Sequence, residues 1–228
     1  MKKEFMGIEY GRGATAKLVL GGPALAPAAV HKMYPDHNWT TVVADKYDAE
    51  LWSTDRFGEN YLIQKKIVAA TPTAPHIMVG GDHSVNFGHF VALADRMPDT
   101  DLCLIYIDAH LDIHTPESSR AQASGAPHGT NVRALMGDGD ARWLSLQMRR
   151  PALRHENVFY LGTRAYEPAE IEYVRNKNIY MRSASELQTP DDWARASDEI
   201  LRKIGNHPYV VSFDFDAIDP KTFRDVLV

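Results

Sequence analysis

The sequence predicts an α/β domain, a mostly parallel central sheet with helices laid over it. Two observations carry that class. Short β-branched runs alternate with longer amphipathic segments along the 228 residues, the pattern of parallel strands joined by covering helices. Three of the apolar runs also end directly in Asp and His, and sites in open α/β sheets form just beyond the carboxyl ends of strands.

The elements follow in chain order. Lys17–Leu20 and Thr40–Ala44 are expected strands, and Asn60–Ala70 is an expected helix with Leu62, Ile63, Ile67 and Ala70 on one face. His76–Val79 is a short apolar strand running into Gly80-Gly81-Asp82-His83-Ser84, and Phe87–Arg96 reads as the next helix. Leu102–Ile107 is a strand that leads into Asp108. Asn157–Leu161 is another, ending at Gly162-Thr163-Arg164. Pro168–Lys177 reads as a helix, with Pro168 in its first turn and Ile171 and Val174 facing inward. Ile179–Met181 is a short strand, and the helix Pro190–Ile204 leads to the strand Tyr209–Phe213. Thr115–Asp140, rich in Gly, Ser, Pro and Ala, is expected to be irregular; long loops in compact domains are usually functional or disordered. This one contains His128, which favours function. With no repeat or linker in view, residues 1–228 are expected to form a single domain.

Composition narrows the partners. Hydrophobic content of 44% and charged content of 24% are ordinary for a soluble globular chain. A net charge of −5 with no Lys/Arg-rich block argues against nucleic acid and anionic membrane. The single cysteine, Cys103, excludes an internal disulfide, fits a reducing compartment and lies in an apolar run that suits core packing. The N-terminus lacks the apolar core of a signal peptide. Leu18–Val30 is apolar but broken by Gly21, Gly22, Pro23 and Pro27, so it is not expected to span a membrane. A cytoplasmic protein is the expectation.

Asp108-Ala-His110-Leu-Asp112-Ile-His114 is the most informative stretch, because four metal-competent side chains alternate behind the strand. In extended backbone, alternate residues share a face and rise about 3.3 Å per residue. Asp108, His110 and Asp112 are therefore expected to converge. Burying that much negative charge is costly unless a cation offsets it. His83 follows two glycines that permit close backbone approach, with Asp82 and Ser84 expected to orient it. Asp214 and Asp216 again share one side of an extended backbone. Each motif alone also fits a polar strand end or turn chemistry before Pro220; the three together read as a metal site. His31, His37, His76, His89, His155 and His207 lack ligand spacing.

Gly80-Gly-Asp-His-Ser84, Asp108-Ala-His-Leu-Asp112 and Ser212-Phe-Asp-Phe-Asp-Ala-Ile-Asp-Pro220, in this order, resemble the signatures of the ureohydrolase (arginase/agmatinase/formiminoglutamase) family. The resemblance implies a three-layer α/β/α fold and a site for two Mn²⁺ ions. One ion would be held by His83 and Asp112 and the other by His110 and Asp216, with Asp108 and Asp214 bridging. Four carboxylates then neutralise two divalent ions, and donors rich in carboxylate suit Mn²⁺, with zinc the alternative. The implied chemistry is attack of a hydroxide held between the ions on a guanidino or amidino carbon, with Asp112 taking the hydroxide's hydrogen bond or proton. His128, in Gly125-Ala-Pro-His-Gly-Thr130, matches the family's loop histidine, a proton shuttle or substrate contact.

Selectivity is implied more loosely. His114 stands where arginases carry Asn, Ala126 and Pro127 offer no side-chain hydrogen bond, and Glu167 lies in a strand-end segment that resembles the family's. His114 and Glu167 are the implied substrate-binding residues, and the pattern is nearer to agmatinases than to arginases. The family continues past the Asp-Pro motif into a substrate loop, an acidic residue and a final sheet segment, which have no counterpart before Val228. The implied partner is a small guanidino or amidino substrate, in a homo-oligomer. The alternative is a non-catalytic metal-binding homologue that serves an active relative as a subunit or regulator. A one-zinc amide hydrolase of deacetylase type shares the broad architecture, and a metal count separates it.

Overall fold

The computed structural model describes residues 2–14, 22–45, 54–119 and 125–222. The strand expected at Lys17–Leu20 lies outside the described residues. The chain instead opens on β1, Glu4–Glu9, which the sequence did not announce. With Glu at both ends and Gly7 inside, β1 shows no alternation for periodicity to find. Yet it is the centre of a parallel sheet, flanked by β2 (Asn38–Val43) and β3 (His76–Val79) in the order β2-β1-β3. Phe5, Met6 and Ile8 are buried there. A Cβ at Gly7 would come within 3.1 Å of the Pro27 side chain, so the helix carrying Pro27 packs tightly over this strand.

Three helices serve this half. α1 (Ala26–Met33) carries Pro27 in its first turn, α2 spans Arg56–Ala70 and α3 spans Val85–Asp95. α2 begins ahead of the expected Asn60 because Asp55 caps it, accepting from the Gly58 amide at 3.0 Å. None of the helices among the described residues is long and apolar enough to cross a membrane.

The second sheet holds β4 (Cys103–Ile107), β5 (Val158–Thr163), β6 (Tyr180–Ser183) and β7 (Tyr209–Phe213), all parallel in the order β6-β5-β4-β7. Alternation sorts its side chains between two cores. Leu104, Tyr106, Val158 and Tyr160 pack with Phe87, Phe90 and Val91 of α3. Cys103, Phe159 and Leu161 pack on the opposite face with Ala196, Ile200 and Ile204, which α7 (Pro190–Ile204) supplies. The short α4 (Asn131–Leu135) and α5 (Ala141–Leu144) join the first core, and α6 (Pro168–Asn176) follows β5. Helices thus cover both faces, giving the expected layered α/β fold. The Thr115–Asp140 region is less irregular than its composition predicts: a 3₁₀ turn at Pro127–Thr130 runs directly into α4. A helix of five residues is too short to show a period.

One feature departs from a single continuous sheet. Among the described residues β3 is paired only with β1 and β7 only with β4, so the ladder divides between β3 and β7. Tyr209, Val211 and Phe213 share one side of β7, and Val211 is 51% exposed. An unpaired apolar strand is a template for association. Val211→Lys is expected to lower light scattering in concentrated solution while changing stability by less than about 0.5 kcal/mol. Equal scattering by the two proteins contradicts this.

Candidate metal centre

The carboxyl ends of β3, β4 and β7 bring His83, Asp108, His110, Asp112, Asp214 and Asp216 together. His83 sits on the turn after β3, where only glycine fits at 81, since a Cβ there would lie 1.6 Å from the Tyr10 carbonyl. The His83 ring stacks on Tyr106 with centroids 4.5 Å apart, and its Nε2 meets Ser212 Oγ at 2.7 Å. Nδ1 is thereby aimed at Asp108 Oδ2 (2.8 Å), Asp214 Oδ2 (3.2 Å) and Asp112 Oδ2 (3.4 Å). Asp82 and Ser84 do not orient His83 as expected. Asp82 accepts from the Gly13 and Ser84 amides, and Ser84 Oγ accepts from Asn60.

Convergence around β4 also has a different cause from strand alternation. The strand stops at Ile107, and Asp108 Oδ1 takes the His110 amide at 2.7 Å, turning the chain. Asp112 then adopts φ +50°, a left-handed conformation that costs a non-glycine residue roughly 1–3 kcal/mol. Its Oδ2 is held there by the Tyr106 hydroxyl at 2.7 Å and Asn131 Nδ2 at 3.2 Å. Nor does extended backbone carry both Asp214 and Asp216: Asp214 is still extended, but Asp216 lies in the 3₁₀ turn that follows. Asp214 caps the 3₁₀ turn Phe215–Ala217 by accepting from the Asp216 amide, and Asp216 Oδ1 accepts from the Ala109 amide at 3.1 Å. Asp216 Oδ2 lies 2.9 Å from His110 Nδ1.

Two ligand groups result, His83/Asp108/Asp112 and Asp108/His110/Asp216, each with its donor atoms within 4.8 Å of one another and both using Asp108. Asp214 closes onto the first group through His83. Burial opposes charge on His83, but the approach of Asp108 and Asp214 holds its pKa well above the ordinary range. Asp108 and Asp216 push His110 up to about 11. Burial and the neighbouring Asp108 raise Asp112 well above a normal carboxylate, while burial of Asp108 is outweighed by His110 and His83, which hold it down. Protons thus do in this cluster what a cation would do.

The donors fit a divalent ion. His83 Nδ1 and Asp108 Oδ2 are buried and close, yet neither makes an aligned hydrogen bond with any described residue. An ion between them would satisfy both, and carboxylate-rich ligation suits a hard ion. Binding must displace the protons of His83, His110 and Asp112, so affinity is expected to rise with pH and fall as acid refills the site. Calorimetry in buffers of different ionisation heat should show net proton release on Mn²⁺ binding at pH 7. Binding without proton release contradicts this electrostatic description.

His128 lies on the Pro127–Thr130 turn, where its amide and Nδ1 both reach the Gly13 carbonyl at 3.1 Å. A carbonyl only accepts, so Nδ1 carries the proton and Nε2 of the neutral ring is an acceptor. Burial lowers the pKa of this ring, keeping it neutral near pH 7. His114 is placed elsewhere. It is 1% exposed, meets Ser118 Oγ at 2.9 Å through Nδ1, and sets Nε2 3.3 Å from Glu170 and 3.5 Å from Glu167. Glu167 shares a capping box with Glu170 at the start of α6 and accepts from Ser119. These two residues therefore join a loop to a helix and belong to neither ligand group. Tyr106, Asn131 and Ser212 support the ligands but were not singled out for that role in the sequence. Alternation offered a signal for two of them, since Tyr106 and Ser212 stand two residues before Asp108 and Asp214.

Fold and site together define a parallel α/β protein with a carboxylate–histidine metal-type cluster at its strand ends. The chain belongs to the Arginase family, which matches residues 20–224. It is 33% identical over 150 residues to Arginase, non-hepatic 2 of Xenopus laevis, covering 63% of this chain and 40% of that protein. It is also 33% identical over 151 residues to mitochondrial Arginase-2 of Mus musculus, covering 64% and 41%. The chain thus spans about two fifths of the length of these curated relatives. Among solved structures, Entamoeba histolytica arginase in complex with L-ornithine superposes with TM-score 0.81 at 21% identity, covering 97% of this chain and 79% of that one. Formimidoylglutamase of Bacillus subtilis does so with TM-score 0.71 at 17% identity, covering 97% and 67%.

Proposed function

We propose that this protein hydrolyses the C–N bond of a linear guanidino or amidino compound, of agmatine, guanidino-acid or arginine type, using two Mn²⁺ ions. The observation that carries the reading is the pair of ligand groups sharing Asp108 at the strand ends. Bound there, two divalent ions would make hydroxide available near neutral pH and polarise the developing tetrahedral centre. The chain's own residues supply the rest. Asp112, fixed by Tyr106 and Asn131, would accept the hydrogen bond or the proton of the attacking oxygen. The departing amine is a poor leaving group until protonated. His128 moves that proton through Nε2, because Gly13 fixes its Nδ1 as the donor. Urea release by purified, Mn²⁺-reconstituted protein across arginine, agmatine and guanidino acids tests the reading, with formamide release from a formimino substrate assayed beside it. Turnover of at least one substrate supports it; full metal loading with no turnover on any overturns it.

A second reading, a metal-binding subunit of an active relative, draws on β3 and β7, each paired along one edge only among the described residues. Stoichiometric co-purification with such a relative, together with inactivity alone, favours it.

A further inference from the structure

Arg164 lies at the end of β5, on a strand that contributes no metal-type ligand to the cluster. It nevertheless touches both strand ends that form the His110/Asp216 side. Its backbone amide and that of Ala165 donate to the Ala109 carbonyl at 2.8 and 2.9 Å, between Asp108 and His110. Its guanidinium spans the next strand's loop, with Nη1 donating to the Ala217 carbonyl at 3.3 Å and Nη2 to the carbonyls of Asp216 and of Ile218, the latter at 3.3 Å. The two ends so gripped are also joined directly, since Asp216 Oδ1 accepts from the Ala109 amide. Among the described residues the other ligand group is held by different side chains and by no arginine fork. Asp112 is held by Tyr106 and Asn131, and His83 by Ser212 and the Tyr106 ring.

We infer that Arg164 is a positioning residue for one ion only, holding the Asp216–Ile218 turn so that Asp216 faces His110. The inference rests on the two-ion reading above. Three convergent carbonyls need a rigid fork of donors, which guanidinium provides and a lysine ammonium does not. Substitution removes this fork and leaves the backbone bonds to Ala109 intact. Residues that support metal ligands typically change affinity about 10- to 100-fold, and here the change should fall on a single site.

The test is Mn²⁺ titration of the full chain and of Arg164→Met and Arg164→Lys, read by calorimetry and by electron paramagnetic resonance. Wild type is expected to bind two ions and give the spectrum of a coupled pair. Arg164→Met should keep the first affinity within about twofold, lose about tenfold or more in the second, and show an isolated-ion spectrum at one equivalent. Arg164→Lys should fall between. Two ions bound by Arg164→Met with wild-type affinities overturn the inference while leaving the two-ion reading intact. Equal weakening of both ions overturns it too, as does loss of the circular dichroism of the fold in both variants, because either outcome means a general structural role. A wild type that binds fewer than two ions sinks the underlying reading itself.

Discussion

Asp108→Asn is expected to cost both ions at once. Asp108 is the one side chain common to the two ligand groups, 1% exposed, with Oδ2 on His83 and Oδ1 on His110. The amide keeps the size and one acceptor but removes the charge that offsets a buried cation. Outer residues that merely support ligands change metal affinity about 10- to 100-fold, so loss of the shared ligand should exceed about 100-fold at each site. Hydrolysis should disappear with the metal. By contrast Asp216→Asn removes a ligand of one group and should spare the first ion. Metal content after dialysis separates the two variants. If Asp108→Asn retains two tightly bound ions, Asp108 is not the common ligand.

His128→Asn should separate metal binding from chemistry. The side chain belongs to neither ligand group, so both ions should remain with affinities near wild type. Its task in the proposed reaction is proton transfer, and loss of a positioned acid–base group typically costs about 10²–10⁴-fold in rate. The fall should appear in kcat rather than KM. Substrates with more acidic leaving amines should suffer less, because they need protonation less. A His128→Asn protein with unchanged kcat, or one that loses its metal, contradicts the assignment. The Gly13 carbonyl gives the prediction a structural basis, since it fixes which ring nitrogen is the acceptor.

Both predictions begin from residues legible in the sequence. A metal-type site at three strand ends was legible from Asp and His behind apolar runs, which are hard to reconcile with packing alone, and the family resemblance selected the six ligand candidates among them. The layered α/β architecture was equally legible from alternating strand and helix patterns, and the helix Pro190–Ile204 and strand Tyr209–Phe213 fall where the pattern places them. Local geometry was not legible. The sequence suggests an extended backbone through Asp112, but the strand ends at Ile107 and Asp112 turns left-handed. That conformation depends on Tyr106 and Asn131, which lie 6 and 19 residues away in sequence. Periodicity sees one segment at a time and cannot report such contacts.

The remaining misses share this cause. β1 is as long as β2 but shows no alternation, and it becomes the middle strand only because β2 and β3 pair on either side. His114 alternates with the ligands in sequence, yet the turn after β4 carries it inward to Ser118 and Glu170. The division of the ladder between β3 and β7 among the described residues is a property of strand order, which is not encoded in any single strand. Tertiary partners decide these outcomes: β2 and β3 for β1, and Glu170 together with the local Ser118 for His114.

Anomalous scattering at the manganese edge, from crystals of the Mn²⁺-reconstituted chain, tests the central claim most directly. Two peaks are expected per chain, one against His83 and Asp112 and the other against His110 and Asp216, with Asp108 touching both. A single peak, or ions bound away from these side chains, would contradict the account.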